Sequence, residues 1–372
     1  MIQIAFTGGG SGGHIYPGLA VARYLRQQGE CRIFWIGSRT GMDRAVVEEA
    51  GIPFFGIPTG KLRRYFSFRN FFDAFKVAAA FFAARRILKR EKPDLLFSKG
   101  GFVSVPPCAA AASLHIPLCT HESDFSPGLA TRINSRFSKR ICIAYEDTAA
   151  FFPRAYGDRL RLTGNPVRPE FHAAAADGSA SAADAARGRA FLGIPEGERI
   201  LLVLGGSQGA REVNELVRRC LGELTGPYVV VHQTGQNAPE TPAPSERYRP
   251  YPYFKEEMPQ VLAAAELVLG RSGAGTLWEC AARGRPMVLI PLHGSGTRGD
   301  QVENARFFEK AGAAAVLWGE GLSPQSLVET VLSIAEDEEK RAAMARASAE
   351  IGAVDGAASI VREIRSLLEE KP

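Results

Sequence analysis

The residues best suited to chemistry lie in a glycine loop near the start of the chain, TGGGSGGHIYPG, from Thr7 to Gly18. Positions 8–14 hold five glycines, a serine and His14, directly after a short β-rich run. Such glycines let backbone N–H groups approach a sugar or a phosphate at the amino end of a helix. His14 falls just inside that helix, where the dipole favours the neutral imidazole that a general base requires. A plain turn, with a histidine that caps its own loop, is the alternative.

The same loop contains the GxGxxG pattern of dinucleotide sites, at Gly8, Gly10 and Gly13. A nicotinamide site would also need an acidic residue after the second strand to hold the ribose. That strand, RIFWIGS, ends in Gly37 and Ser38 instead. The sequence therefore favours a sugar or phosphate ligand over a dinucleotide.

A second ligand loop is predicted at GRSGAGTLWE, from Gly270 to Glu279. Small residues after the run LVLG leave backbone donors and the Thr276 hydroxyl available to a diphosphate at a helix start. Glu279 lies one turn further, where it could accept hydrogen bonds from a ribose diol, although an exposed helix carboxylate is equally common. The later segment GTRGDQVENA offers Asp300, Gln301 and Asn304 for sugar hydroxyls, a weak signal when taken alone.

The elements that must position these loops alternate between short β-rich runs and longer helical patterns, which is typical of parallel βαβ units. Both halves open with a strand, a glycine loop and a helix: AFTGGGSGGH and then LVLGGSQGAR. We therefore predict an α/β fold of two Rossmann-like domains that face each other across a cleft. The expected boundaries are 1–170 for the first domain, 171–195 for a linker, 196–355 for the second domain and 356–372 for a terminal helix of undecided packing.

Composition narrows the class of protein. The 372 residues are 45% hydrophobic and 23% charged, as in ordinary soluble globular proteins. The six cysteines form no CxxC pair and are expected to be reduced thiols of a cytosolic protein. We expect neither a signal peptide nor a membrane-spanning helix. The sequence has no DxD motif and no histidine pair with metal spacing, so neither a metal ion nor another cofactor is indicated.

Charge and aromatic residues concentrate in the first half. Residues 1–170 carry 24 Lys and Arg against 13 Asp and Glu, whereas the remainder carries 21 against 27. The segment 61–92 alone has ten basic residues and seven phenylalanines. Such a segment is typical of a surface that lies on an anionic membrane, here near Lys61–Phe82. Within it, exposure is predicted for Phe66, Phe68 and Phe71, and burial in the core for Phe75, Phe81 and Phe82.

Taken in order, GGGSGGHIYPGLAVA, FSKGGFVSVP, HESDFSPGLATRI, TGNPVR, GGSQGAR, RSGAGTLWE and DQVENA resemble the GT-B glycosyltransferases of peptidoglycan synthesis over nearly the whole chain. The resemblance implies metal-independent, inverting transfer of N-acetylglucosamine from UDP-N-acetylglucosamine to the 4-hydroxyl of the N-acetylmuramyl residue of lipid I. It also implies that the first domain binds lipid I, that the second binds the donor, and that the enzyme is peripheral on the cytoplasmic face of the bacterial plasma membrane.

Site residues follow from the same resemblance. His14 is the first candidate for the base, and Glu122 is the second. HEQN in many relatives is HESD here, which puts an amide contact at Asp124 in doubt. The implied substrate-binding residues are Ser11, Gly12, Gly13, Asp124, Arg168, Ser207, Ser272, Gly273, Ala274, Gly275, Thr276, Glu279 and Gln301, to which the segment GTRGDQVENA adds Asn304.

Two other functions stay open on the sequence alone. A UDP-N-acetylglucosamine 2-epimerase would share the fold and the UDP loops, but it would not need the basic aromatic segment. A peripheral lipid-binding protein would not need His14. Binding of nucleic acid is disfavoured, because the aromatic content of the basic half suits lipid better than a phosphate groove.

Overall fold

The computed structural model describes residues 2–29, 31–60, 68–172, 179–206, 209–236, 241–294 and 299–370, without the side chains of 68–74 and 179–180. They form two compact units, one of Met1–Pro169 with Asp355–Pro372 and one of Glu170–Val354.

The first unit is a parallel sheet with helices in its connections. Its elements in chain order are β1 (Ile2–Thr7), α1 (Gly12–Gln27), β2 (Cys31–Ser38), α2 (Asp43–Glu49), β3 (Phe54–Ile57), α3 (Phe68–Glu91), β4 (Leu95–Ser98), α4 (Val105–Ser113), β5 (Leu118–Glu122), α5 (Leu129–Asn134), β6 (Arg140–Ile143) and β7 (Leu160–Leu162). The strand order is β3-β2-β1-β4-β5-β6-β7.

The second unit repeats the plan. Its elements are α6 (Ser179–Leu192), β8 (Ile200–Leu204), α7 (Arg211–Arg219), α8 (Leu221–Leu224), β9 (Val229–Gln233), β10 (Tyr248–Tyr251), α9 (Met258–Ala264), β11 (Leu267–Gly270), α10 (Ala274–Ala282), β12 (Met287–Leu289), α11 (Asp300–Lys310), β13 (Ala314–Val316), α12 (Pro324–Ala335) and α13 (Glu338–Gly352). The strand order is β10-β9-β8-β11-β12-β13, also parallel throughout.

Both strand orders match the doubly wound arrangement, so the predicted α/β fold class is confirmed in each unit. Ligands of such sheets bind beyond the carboxyl ends of the central strands, where the order reverses. In the first unit that point lies between β1 and β4, and in the second between β8 and β11. These are the strands that lead into the predicted ligand loops.

The chain ends with α14 (Gly356–Glu369), which belongs to the first unit. Ile360, Val361 and Ile364 of this helix are fully buried in the same core as β1 and β2. The Arg140 guanidinium on β6 also pairs with Glu363, at 3.4 Å. Although the sequence left its packing undecided, α14 completes the apolar core of the first unit.

Part of the segment expected as a linker, 171–195, is the helix α6 of the second unit. A Cβ on Gly188 would stand 2.1 Å from the Gln260 carbonyl oxygen, so α6 and α9 are in backbone contact. Asp184 on α6 accepts a hydrogen bond at 2.7 Å from Arg283, which is itself almost completely buried. Residues 173–178 lie outside the described residues.

The prediction that Phe75 and Phe82 face the core is wrong, because they are 62% and 69% exposed. Helix α3 instead buries Ala80, Ala84 and Leu88, at helical spacing, in one apolar cluster with residues of α4. Small alanines allow that close approach, and the larger phenylalanines lie elsewhere on the helix. Phe81 is half-buried and packs against the cluster. The segment 61–67 and the side chains of Phe68 and Phe71 lie outside the description.

Across the described residues, none of the helices combines the length and the hydropathy needed to span a membrane.

Candidate active site

The glycine loop of the first unit is held from behind by a buried carboxylate, that of Asp43 at the start of α2. Its Oδ1 accepts a hydrogen bond from the Gly10 N–H at 3.0 Å, and its Oδ2 accepts one from the Ser38 N–H at 3.1 Å. A Cβ on Gly9 would stand 2.0 Å from Asp43 Oδ2, so only glycine fits there. The Trp35 indole donates to the Gly8 carbonyl at 3.0 Å. Two buried side chains therefore fix the shape of the loop.

His14 lies in the first turn of α1 and is half-buried against a second glycine turn, Gly100–Gly101, which follows β4. Gly101 has a φ of 77°, and a Cβ there would stand 2.8 Å from His14 Cδ2 and 2.6 Å from the Gly9 carbonyl oxygen. The imidazole therefore rests on backbone that only glycine can provide. Ser11 and Gly13 beside it are exposed, and Gly12 is half-buried.

Glu122, at the end of β5, is buried and bonded to the loop that follows it. Its Oε1 accepts hydrogen bonds from the N–H groups of Ser123 and Asp124, at 3.0 and 3.1 Å. Its Oε2 accepts one from the Gly128 N–H at 3.0 Å. The carboxylate thus organises the backbone of residues 122–128, whereas the Asp124 side chain is half-buried.

A buried lysine, Lys99, lies between these two regions, because β4 is paired with both β1 and β5. Its Nζ donates to the Ser123 hydroxyl at 2.7 Å, and that hydroxyl donates to Asn165 Oδ1. The neighbouring His121 ring is fully buried, with Nε2 3.0 Å from the Gly164 carbonyl oxygen. Burial, with a contribution from the charge of Lys99, holds the His121 pKa well below its usual range. His121 is therefore a neutral structural histidine.

In the second unit, the loop before α10 presents backbone to open space. Gly273 is the N-cap residue of α10, and apart from the chain neighbours and the backbone of α10 itself, no described atom would lie within 4 Å of a Cβ on Gly273 or on Gly275. The first N–H groups of a helix have no intrahelical acceptor. Thr276 and Glu279 are half-buried on the first turns of α10, while Ala274 is buried. The geometry leaves room for an anionic group against the helix start.

Three predicted ligand residues, Ser272, Gln301 and Asn304, make hydrogen bonds that hold this loop in place. The fully buried Ser272 hydroxyl donates to the Gln301 carbonyl at 2.7 Å, and Asn304 Nδ2 donates to the Ser272 carbonyl at 3.3 Å. Gln301 Oε1 accepts a hydrogen bond from the Leu292 N–H at 3.0 Å. These bonds tie the start of α11 to the start of α10.

The predicted site residues divide between the two units. Ser11, Gly12, Gly13, His14, Glu122, Asp124 and Arg168 belong to the first unit, at the carboxyl ends of its strands or in the loop after β7. The second unit holds Ser272, Gly273, Ala274, Gly275, Thr276, Glu279, Gln301 and Asn304. Ser207 lies outside the described residues. Among the residues that are described, no group of three His, Cys, Asp or Glu side chains could hold a metal ion.

Sequence reasoning missed the residues that support the loops from behind. Asp43 and Lys99 do so in the first unit. In the second, Gln233 donates to the Gly206 carbonyl and accepts from the Phe254 N–H, and Arg271 pairs with Glu212 at 2.8 Å. Lys99 had a usable signal in the sequence, because it stands between the apolar run LLF and two glycines, at the end of a predicted strand, and lysine is rarely buried unless it is paired.

Comparison with known proteins gives matches over both units. Residues 4–143 match the glycosyltransferase family 28 N-terminal domain, and residues 200–361 match the family 28 C-terminal domain. The chain is 45% identical, over 99% of its length and 98% of the relative's, to the UDP-N-acetylglucosamine--N-acetylmuramyl-(pentapeptide) pyrophosphoryl-undecaprenol N-acetylglucosamine transferase of Treponema denticola.

Solved structures agree on the fold. The crystal structure of Acinetobacter baumannii MurG superposes with a TM-score of 0.73 at 25% identity, covering 98% of this chain and all of that one. A Listeria monocytogenes structure named as a UDP-N-acetylglucosamine 2-epimerase has a TM-score of 0.69 at 14% identity, covering 100% and 98%. The second likeness concerns the fold alone.

Proposed function

Because the chain belongs to glycosyltransferase family 28, we propose that it transfers N-acetylglucosamine from UDP-N-acetylglucosamine to the N-acetylmuramyl residue of lipid I, which forms lipid II. The observation that carries the proposal is the 45% identity to the Treponema denticola transferase over 99% of the chain. That match includes both glycine loops and the α10 start. The enzyme is therefore a UDP-sugar-dependent glycosyltransferase of peptidoglycan synthesis.

The donor binds at the start of α10. The open space at Gly273 and Gly275 allows the diphosphate to reach the backbone N–H groups of the first turn, where the helix dipole favours negative charge. Glu279, one turn on, accepts hydrogen bonds from the ribose hydroxyls. Each preorganised donor aimed at the leaving diphosphate contributes ~3 kcal/mol in a closed site.

His14 is the general base. The start of α1 disfavours the protonated imidazole, so the neutral ring takes the proton from the acceptor 4-hydroxyl as that oxygen attacks the anomeric carbon. The bond from the anomeric carbon to the diphosphate oxygen breaks on the opposite face, which inverts the configuration. Glu122 is less suited to this role, because its oxygens already accept three backbone hydrogen bonds. We assign it as a positioning residue.

Release of UDP tests both the reaction and the base. It is measured with and without a soluble lipid I analogue for wild type, His14→Ala and Glu122→Gln. We expect acceptor-dependent release that falls by about 100-fold or more in His14→Ala, the usual range for loss of a general base, with unchanged thermal stability. Glu122→Gln is expected to lower the thermal stability, because the amide NH2 group would face backbone N–H groups, which are also donors.

Other outcomes have definite meanings. If His14→Ala keeps its activity and Glu122→Gln abolishes it while remaining folded, the base is Glu122. Release of UDP without acceptor would favour the epimerase. That alternative has less support, because its structural relative is only 14% identical and shares the fold alone.

The proposed enzyme works as a peripheral protein on the cytoplasmic face of the plasma membrane, and α3 is the contact surface. Phe75 and Phe82, seven residues apart, lie on the same exposed face as Arg86 and Lys89. Aromatic side chains can enter the interfacial region of a bilayer while the basic residues meet anionic headgroups. A lipid-anchored acceptor requires such a surface.

Partition onto vesicles of anionic and zwitterionic lipid tests this surface. Phe75→Ser with Phe82→Ser is expected to lower partition onto anionic vesicles by about tenfold or more, since each phenylalanine side chain is worth roughly 1.5 kcal/mol or more of apolar transfer. Activity on a water-soluble acceptor should be unchanged. Phe137→Ser, which removes another exposed phenylalanine of the same unit, is the matched control. Equal partition of the two variants would contradict the assignment.

A further inference from the structure

The first unit contains a buried cation that the proposed reaction does not use. Lys99 is 2% exposed, and its Nζ donates to the Ser123 hydroxyl at 2.7 Å. That hydroxyl in turn donates to Asn165 Oδ1, and Asn165 is 1% exposed. The chain of hydrogen bonds thus runs from the end of β4, through the loop after β5, to the loop after β7.

The charge of Lys99 is balanced by carboxylates of the same loop. Burial lowers the pKa of Lys99 to about 8, while the negative charges of Glu122 and Asp124 act in the opposite direction. Charged side chains are rarely fully buried unless they are paired. His121 on β5 also faces this site, but its lowered pKa keeps it neutral over the range in which Lys99 titrates.

The loop after β5 begins with the sequence HESD, which places a hydroxyl, that of Ser123, between the carboxylates of Glu122 and Asp124. The hydroxyl is the one that Lys99 bonds, and both carboxylates act on its charge. Two neighbouring carboxylates without a cation would repel each other, which would displace the loop that carries them.

We propose that Lys99 is a positioning residue, whose hydrogen bond to Ser123 and buried positive charge hold the loop after β5, and Asp124 with it, in place for contact with the acceptor sugar. The inference rests on the proposed function, and it adds a residue that the reaction depends on without contact to substrate. The next residues along the chain, Gly100 and Gly101, form the surface against which His14 lies. A displaced Lys99 would therefore disturb both residues that we assign to the acceptor, Asp124 and His14.

This role of Lys99 predicts that high pH lowers the activity of the enzyme without lowering its stability. Loss of the proton from Lys99 removes the charge that balances Asp124, so kcat/KM for the acceptor should fall above about pH 8. The same loss relieves the burial of a charge, so the folded protein should not become less stable there. A lysine that only filled space would give no such fall in activity.

The test measures kcat and KM for a soluble lipid I analogue from pH 6.5 to 10 in wild type, Lys99→Met, Lys99→Arg, Asp124→Asn and the double variant Lys99→Met/Asp124→Asn. We expect Lys99→Met to lower kcat/KM by about 100-fold, chiefly through the acceptor KM, and the double variant to recover at least tenfold of that loss. Arginine stays charged, so Lys99→Arg should move the alkaline fall upwards by at least one pH unit.

Lys139→Met is the control, since it removes an exposed lysine from the same unit, just before β6. Urea unfolding, measured for every variant, reports on folding of the first unit. The proposal is overturned if the double variant is no better than Lys99→Met, or if the alkaline fall stays in place in Lys99→Arg. Should Lys99→Met not fold, the pH profile of Lys99→Arg decides alone. Wild type without acceptor-dependent UDP release would reject the proposed function and this inference together; normal turnover with either adverse result rejects the inference only.

Discussion

Two glycine-rich regions of the chain differ in what surrounds their glycines. The first region is formed by the turns 8–13 and 100–101 of the first unit, and the second is the start of α10, residues 273–275. In the first unit, a Cβ on Gly9 or Gly101 would collide with Asp43, with His14 or with backbone. In the second unit, apart from the chain neighbours and the backbone of α10 itself, a Cβ on Gly273 or Gly275 would meet no described atom within 4 Å. Packing of the protein's own atoms thus requires glycine at Gly9 and Gly101, but it does not require glycine at Gly273 or Gly275.

The contrast separates two uses of glycine. Packed glycines let two backbone turns and a histidine approach one another, which fixes the geometry of a catalytic side chain. Open glycines keep the amino end of a helix accessible, which suits a bound anion. Substitutions by alanine should therefore act through stability and rate at Gly9 and Gly101, and through donor affinity at Gly273 and Gly275.

The largest effect is expected for Gly101→Ala. The residue has a φ of 77°, and its new Cβ would stand 2.6 Å from the Gly9 carbonyl oxygen and 2.8 Å from the His14 ring. We expect a loss of about 3 kcal/mol in the free energy of unfolding, from backbone strain and overpacking. Displacement of His14 should lower kcat by about 100-fold or more. Urea unfolding and UDP-release kinetics measure the two effects.

Gly157→Ala is the control for that substitution, because Gly157 lies in the same unit with open space around it and no left-handed backbone. It should leave both stability and kcat near the wild-type values. If Gly101→Ala behaves like Gly157→Ala, the glycines of the first unit are not required by packing, and the contrast between the two regions is lost.

A second prediction concerns the burial of Lys99, which directly precedes the glycine turn Gly100–Gly101 of the first region. Lys99 has a pKa of about 8 when folded, against an ordinary value of 10.5. Between these pH values the unfolded chain binds more protons than the folded one, so the free energy of unfolding should rise with pH. The full difference corresponds to about 3 kcal/mol, as an upper limit. Lys99→Met should lack this rise, and Lys139→Met should keep it.

Urea unfolding at fixed pH values from 7.5 to 10.5 gives the comparison directly. Other groups that titrate in this range are present in all three proteins, so they cancel in the differences between them. If the free energy of unfolding changes with pH in the same way in wild type and in Lys99→Met, the Lys99 ammonium group is in contact with water. The first region would then be as open to solvent as the second.

The inner strands of both sheets could be predicted from the sequence, and the edge strands could not. The β-rich runs of the sequence predict nine strands, and all nine are interior ones, where burial on both faces produces continuous apolar runs. These runs are IQIAFTG, CRIFWIG, DLLFSKG, PLCTHES, RICIAYE, RILLVLGG, YVVVHQTG, ELVLGRSG and PMVLIPL. The four that were missed, β3, β7, β10 and β13, are the sheet edges and have three or four residues each. β10, with the sequence YRPY, contains a proline and an arginine, and such a strand carries no periodic signal.

The site could be predicted as far as its loops but not as far as its supports. The glycines and His14 are adjacent in sequence, so their association is visible without a structure. Asp43 lies 33 residues from the Gly10 N–H that it binds, and Lys99 lies 24 residues from Ser123. Nothing in the spacing joins these pairs, because the contacts arise only when parallel strands end at the same edge.

The burial of Phe75 and Phe82 was wrongly predicted for a related reason. Helical periodicity shows that a helix has an apolar face, but it does not tell which of two apolar faces meets the core.

The smallest expected effect, and the sharpest for the second region, is that of Gly275→Ala. The new methyl group has open space, and alanine is the better helix former by about 1 kcal/mol, so the free energy of unfolding should rise slightly. The same methyl group would stand where the donor diphosphate approaches the α10 backbone. We therefore expect KM for UDP-N-acetylglucosamine to rise by about tenfold, equivalent to about 1.4 kcal/mol, with the acceptor KM unchanged.

Gly222→Ala on α8 is the matched control, because it also adds a methyl group in open space on a helix of the same unit. It should raise the stability to a similar degree without a change in donor KM. A donor KM that is equal in the two variants would mean that the space beside Gly275 is not the donor site, and the α10 start would then have to be replaced as the diphosphate-binding element.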